Sequence, residues 1–283
     1  MTGATGRLGS AVVPALLDAG AQVTALVRVI RPDALSSALD QVVASLADET
    51  ALTDALAGAD QLVAILPDVP EIPQMMSAMI AAGKASGLKR IVKISAHLAG
   101  QNPPESFGIE HRAADDMLLE SGLDAVIYRP AMFMQSLALF FSDWDKGRMI
   151  VPVKTGKVAL IDASDIAAAV VAALQGGVAA GTYTLTGPQS LSFGDVAQAL
   201  SAWSGKPLKH VVPPIWLAGI IMRGDKSMDA FTRGRLLDLL RALQAGKEAP
   251  VIADLETIIG RPGLRFEERL SKCTNDGAPP QLI

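Results

Sequence analysis

Apolar positions recur with two different periods along the first 130 residues, and the switches between them mark the elements. Leu8, Val12 and Leu16 fall at helical spacing and Gly20 closes the run, which predicts a helix through Ala19. Residues 22–27 follow as an apolar strand. The pattern then predicts a short helix over 32–40, a strand over 41–45 and a helix over 50–57 with Asp48 and Glu49 at its start. A strand buried on both faces is expected over 60–66, a helix over 75–86 ended by Gly87, and a strand over 91–95. A helix over 108–121 and a strand over 124–129, stopped by Pro130, complete the alternation. Strands alternating with helices at these lengths predict an α/β fold, a doubly wound parallel sheet of Rossmann type.

Beyond Pro130 the rhythm changes. Met132, Phe133, Met134, Phe140, Phe141 and Trp144 lie close together in an apolar stretch. Strands are expected over 158–161, 182–186 and 210–212. Helices are expected over 164–174, over 193–204 with Ser192 as cap, and over 215–222, 231–245 and 254–259. The division implied is a nucleotide-binding domain of residues 1–135, to which 155–186 contribute. A smaller C-terminal substrate lobe takes 136–154 and 187–270, and a tail over 271–283 lacks periodicity and is expected to be unpacked.

The run Thr2-Gly3-Ala4-Thr5-Gly6-Arg7-Leu8-Gly9 opens the first helix. In a turn of this kind Gly3 permits the tight bend, Gly6 lets a pyrophosphate approach the main chain, and Gly9 lets helix pack on sheet. Unpartnered N–H groups at the helix start then face the anion, and Thr5, Arg7 and Leu8 complete the cradle. A glycine-rich turn without a ligand is the alternative. Only Met1 and Thr2 precede Gly3, whereas such a turn follows a buried strand of about five residues. The first strand is therefore expected to be truncated, either by a start placed too late, the favoured reading, or as a gap in the sheet. A chain complete as given is expected to be poorly stable, because the neighbouring strands lose backbone partners.

Half of the 283 residues are hydrophobic, which supplies a core, and the net charge of −4 without a basic run argues against nucleic acid. The single cysteine, Cys273, excludes an internal disulfide and fits a reducing cytoplasm. No metal is expected from three histidines and one cysteine. The longest apolar stretch, 215–222, is too short to span a bilayer.

Arg28 follows the second strand where an NAD site would carry a carboxylate, and Arg31 lies three residues on. A guanidinium there grips a 2′-phosphate, so NADP(H) is expected in preference to NAD(H); a solvated charge at a strand end is the alternative. Leu46 is placed to cover the adenine. Leu66 and Pro67 end one strand and Pro130 another, and these are expected to border the nicotinamide together with Ser95.

These pieces resemble the NmrA-like branch of the atypical short-chain dehydrogenase/reductases. The resemblance rests on the glycine run, Leu26-Val27-Arg28, the segment Phe107-Gly108-Ile109-Glu110-His111-Arg112-Ala113-Ala114-Asp115, and Tyr128-Arg129-Pro130 with Phe133-Met134-Gln135. It continues through Ile161-Asp162-Ala163-Ser164-Asp165-Ile166-Ala167 to Gly260-Arg261-Pro262 and Phe266. It implies NAD(P) binding and a choice between two functions. One is reduction of quinones, azo or triphenylmethane dyes, or iminium ions; the other is nucleotide sensing without catalysis.

Most short-chain dehydrogenases place a Tyr-x-x-x-Lys pair on a helix, with a Ser upstream. Here Ser95 is followed by Phe107 and His111, so Phe107 stands where the proton donor would be. His111 and Ser95 are the expected catalytic residues, with His111 able to donate a proton near neutral pH. Alternatively, His111 only hydrogen-bonds to Ser95 or the ribose. His97, Phe107, Met132, Phe133, Phe140 and Trp144 are the expected substrate pocket, with core packing as the other reading of the apolar stretch. Asp162 and Asp165 are read as fixing a loop and capping a helix. The function expected is NADPH-dependent hydride transfer to an aromatic or conjugated small molecule. The alternatives are a sensor that binds a protein partner and a scaffold with a broken cofactor site. A homodimer is left open, and no membrane partner is expected.

Overall fold

The computed structural model describes residues 1–30, 39–102, 108–224, 228–275 and 277–282. Its strands in chain order are β1 (Thr24–Val27), β2 (Asp40–Val43), β3 (Gln61–Ile65), β4 (Arg90–Ile94), β5 (Ala125–Pro130), β6 (Arg148–Ile150), β7 (Lys157–Val158), β8 (Gly181–Leu185), β9 (Leu191–Ser192) and β10 (Lys209–Val211). The helices that position the site are α1 (Gly9–Asp18), α2 (Glu49–Ala55), α3 (Ile72–Ser86), α4 (Ile109–Glu120) and α5 (Ala163–Leu174). Five more follow: α6 (Phe193–Ser204), α7 (Ile215–Gly224), α8 (Ala230–Gln244), α9 (Asp254–Ile259) and α10 (Phe266–Ser271). The expected helix over 32–40, Arg31 and Phe107 fall wholly or mainly outside the described residues.

Strands β3, β4, β5 and β8 are hydrogen-bonded in that order, all parallel, and β1 pairs in parallel with β2. Met1 and Thr2 stitch the two sets together. The Met1 ammonium donates to the Thr24 carbonyl at 2.5 Å and the Leu26 N–H donates to the Met1 carbonyl at 2.8 Å. On the other side the Thr2 N–H reaches the Val63 carbonyl at 3.0 Å, and the Thr2 hydroxyl donates to the Ile65 carbonyl at 2.8 Å. Two residues thus do the work of a central strand at its C-terminal end, where the glycine turn begins. Behind Met1 the sheet opens into a hollow of about 530 Å³ lined by Leu16, Val23, Leu56, Val63 and Val171.

Both faces of the sheet are covered, because each helix carries an apolar stripe. Val12 and Leu16 of α1, with Leu8 just before it, pack with Ile166 and Val170 of α5 on one face. Met76 and Met79 of α3 pack with Ala114 and Leu118 of α4 on the other. Helix α3 starts at Ile72, three residues before its expected start, with a proline in its first turn where the fixed φ favours a helix.

A third core joins Leu137, Phe141, Trp144, Phe193, Leu240, Phe266 and Leu282. The expected unpacked tail is corrected here. Leu282 is 2 % exposed in that core, the Trp144 indole donates to the Gly277 carbonyl at 3.1 Å, and Asn275 Nδ2 donates to the Trp203 carbonyl at 2.7 Å. Burial of Leu282 and these backbone acceptors help to hold a segment that has no period of its own. Among the described residues no helix is long and apolar enough to cross a membrane.

Candidate active site

The glycine run folds into a cradle at the C-terminal edge of the sheet. Gly3 has φ +66°, and a Cβ there would come within 2.8 Å of Ile65 Cβ. A Cβ on Gly9 would stand 2.2 Å from the Gly3 carbonyl oxygen, so α1 starts directly against the turn. No side chain caps α1, and its first turn holds no acidic residue, so no carboxylate opposes the positive end of its dipole. Thr5, Gly6 and Arg7 are exposed on the cradle and Leu8 is buried beneath it. These features fit a dinucleotide pyrophosphate. Arg28 is exposed at the end of β1, Leu46 is half-buried beyond β2, Leu66 and Pro67 follow β3, and Pro130 is buried at the end of β5. The described residues expected at the cofactor therefore cluster at the C-terminal ends of parallel strands, where ligands bind such sheets.

A charged cluster lies beside them. Helix α4 turns His111, Ala114, Asp115 and Leu118 inward. Asp115 is fully buried: one carboxylate oxygen accepts Lys93 Nζ at 2.6 Å, and the other accepts Ser95 Oγ at 2.9 Å and Arg129 Nε at 2.8 Å. Lys93 and Ser95 share a face of the β4 segment because side chains alternate along a strand. Burial pushes the Lys93 ammonium down while Asp115 holds it up. Lys93 Nζ also lies 3.4 Å from the His111 carbonyl.

His111, the expected proton donor, is buried within this cluster. Burial, and then the Lys93 charge, lower its pKa to about 3, so the ring is neutral at pH 7. The Ser95 hydroxyl donates to Asp115. His111 Nδ1 has no hydrogen-bond partner among the described residues.

The far side of the site is built by the segment after α8. The His97 ring is buried beyond β4, where burial lowers its pKa and the Lys247 backbone raises it in part. Glu248 is buried, and its carboxyl accepts the Met132 N–H at 2.9 Å. Burial raises that carboxyl to about 7. Met132 and Phe133 are half-buried near the end of β5. Phe140 and Trp144 depart from the expected pocket. Phe140 stands edge-on to Phe193 at 5.7 Å, and Trp144 packs on Phe141 at 5.5 Å and Trp203 at 6.5 Å, inside the lobe core. Helix α8 is tied to α4 by an ion pair of buried Arg235 with Glu110.

Asp162 caps α5 by accepting the Ser164 N–H at 2.8 Å, and Asp165 accepts the Leu264 N–H at 2.6 Å while pairing with Arg261. Sequence reasoning missed Lys93, Asp115, Arg129, Arg235 and Glu248. Two of them carried a signal: Lys93 interrupts an apolar strand, and Asp115 sits on the apolar stripe of α4, four residues after His111.

Comparison with known proteins completes the description. A family model described as NAD(P)H-binding matches residues 3–176. An NAD(P)H azoreductase from Xenophilus azovorans is 33 % identical over 272 residues, 95 % of each chain. An NADPH-dependent quinone oxidoreductase from Escherichia coli, solved in complex with NADPH, superposes with a TM-score of 0.84 at 25 % identity, over 95 % of this chain and 97 % of that one. Triphenylmethane reductase from Citrobacter sp. shares the fold, with a TM-score of 0.80 at 21 % identity over 96 % and 97 % of the two chains. The chain belongs to the NAD(P)H-binding family and is an NAD(P)-dependent oxidoreductase.

Proposed function

We propose that this member of the NAD(P)H-binding family is an NADPH-dependent reductase that passes hydride to a conjugated aromatic small molecule, a quinone or an azo compound. The observation that carries the reading is an open glycine cradle beside a strand-end site that no tyrosine serves. The chain has two tyrosines. The Tyr128 hydroxyl donates to the Ala169 carbonyl at 2.8 Å and that of Tyr183 to the Ala179 carbonyl at 3.0 Å. A simple ketone needs a proton donor at its oxygen as hydride arrives, whereas a conjugated acceptor spreads the incoming charge and depends mainly on being positioned. The names of the azoreductase and quinone oxidoreductase relatives support this class of acceptor.

In this reading Gly3, Thr5, Gly6, Arg7, Leu8 and Gly9 hold the pyrophosphate, and Arg28, with Arg31, selects the 2′-phosphate. Leu46 covers the adenine, while Leu66, Pro67, Ser95 and Pro130 border the nicotinamide. The bound dihydronicotinamide supplies the hydride. Asp115 holds the Ser95 hydroxyl in one orientation, and the neutral His97 and His111 add no charge to the site. Met132 and Phe133 give the acceptor an apolar wall. Residues 1–135 with 155–186 form the cofactor half, and 136–154 with 187–270 form the substrate lobe.

Steady-state NADPH oxidation against a panel of naphthoquinones, azo compounds and aliphatic ketones tests the proposal. Turnover confined to the conjugated acceptors is expected. Comparable turnover of aliphatic ketones, or none with any acceptor, would overturn it.

A further inference from the structure

Ser95 is the first residue beyond β4, at the carboxyl edge of the sheet. One strand, β3, separates it from the cradle. A Cβ on Gly3 would meet Ile65, Ile65 pairs with Ile94, and the Ser95 N–H donates to the Tyr128 carbonyl at 2.7 Å. Ser95 thus lies two strand spacings, roughly 10 Å, from the segment that carries Gly3. The ends of β3 and β5, with Leu66, Pro67 and Pro130, stand on either side of it.

The proton of the Ser95 hydroxyl already has a partner. One Asp115 carboxylate oxygen accepts it at 2.9 Å, and Arg129 and Lys93 meet the same carboxylate at 2.8 Å and 2.6 Å. A carboxylate has no proton to give, so the serine is the donor in this bond. A hydroxyl has one proton and two lone pairs. Ser95 therefore has only lone pairs left for a ligand, and among the described residues no donor is bonded to its Oγ.

We propose that Ser95 accepts a hydrogen bond from the carboxamide NH2 of the nicotinamide and gives none to the substrate. The proposal rests on the reading above, in which Ser95 borders the nicotinamide. The carboxamide nitrogen only donates, so it matches a group that only accepts. The oxygens of a quinone and the nitrogens of an azo bond only accept, and Ser95 has no proton for them. The ribose hydroxyls can take either side of a hydrogen bond and do not require this one. Asp115 thus sets the polarity of Ser95, and the serine expected to act with His111 becomes a group that orients the cofactor ring.

Calorimetric titration of the cofactor-free protein with NADP+ and with its 3-acetylpyridine analogue tests the assignment. The analogue carries a methyl ketone where NADP+ has the carboxamide, so it loses the NH2 and keeps the carbonyl and both riboses. Wild type is expected to bind NADP+ roughly fivefold more tightly than the analogue, as one net hydrogen bond provides. Ser95→Ala is expected to erase that preference by losing affinity for NADP+ alone. Ser95→Thr keeps the hydroxyl and is expected to keep the preference. No preference in wild type, an undiminished preference in S95A, an equal loss of both ligands in S95A, or a preference lost in S95T as in S95A would overturn the assignment of Ser95. Failure of the wild-type chain to bind either ligand would instead overturn the cofactor reading, and this proposal with it.

Discussion

Two carboxyl groups flank the C-terminal end of β5, both withdrawn from water, and their surroundings treat them in opposite ways. Asp115, on the α4 side, is met by Lys93 and Arg129 and by the Ser95 hydroxyl. Glu248, in the strap that joins α8 to α9, is met by a backbone N–H, and burial pushes it up to about 7. Burial is common to both, so the partners decide what each group does. The α4 side is an ion-paired cluster that holds the Ser95 hydroxyl, whereas on the strap side burial raises a carboxyl to about 7.

The largest test of this contrast removes the scaffold. Asp115→Ala leaves the Lys93 ammonium and the Arg129 guanidinium without their carboxylate, and is expected to cost about 3–5 kcal/mol in urea unfolding. A loss below about 1 kcal/mol would mean that the cluster holds nothing together.

The next test concerns the proton on the strap. The folded state keeps the Glu248 proton to about 7, whereas the unfolded chain releases it near 4.5. The folded state therefore binds the extra proton between those values, and this contribution to stability is present below 4.5 and is lost as pH rises to about 7. The displacement corresponds to roughly 3 kcal/mol at 1.36 kcal/mol per pH unit. Unfolding curves across this window should show E248Q gaining on wild type as pH rises. Parallel curves would remove the distinction between the two sides.

A smaller effect links the scaffold to His111. Lys93→Met removes the second cause of the lowered His111 pKa but leaves the first, which is burial. The imidazole titration, followed by NMR, should move up from about 3 and stay below 6.5. An unmoved titration would show that the Lys93 charge does not reach the ring.

How much of this was legible in the sequence follows from how local each feature is. The cradle is eight consecutive residues whose spacing already contains the turn and the helix start, and Asp162 announces its capping role from two residues away. Asp115 lies within the segment 107–115 that carries the family resemblance, yet its meaning depends on Lys93 and Arg129, which reach it from two different strands. Glu248 had no signal at all. It lies in the polar stretch Lys247-Glu248-Ala249-Pro250 and becomes buried only when the strap meets Met132 and Ala159. The tail failed for the same reason, since Leu282 and the Gly277 carbonyl acquire partners only once the lobe has folded. The aromatic stretch is legible as apolar, but pocket and core remain equal readings for Phe140 and Trp144, because sequence alone cannot say which side of an apolar segment faces a core.

The central claim is that the glycine cradle and Arg28 form a working NADPH site, and a fluorescence titration of the purified chain with NADPH and with NADH addresses it most directly. The account predicts saturable NADPH binding at least about tenfold tighter than NADH, with Arg28→Ala erasing most of the difference, as expected for loss of a charge-assisted contact worth roughly 1.5–3 kcal/mol. Equal affinity for the two cofactors, or binding of neither, would contradict it.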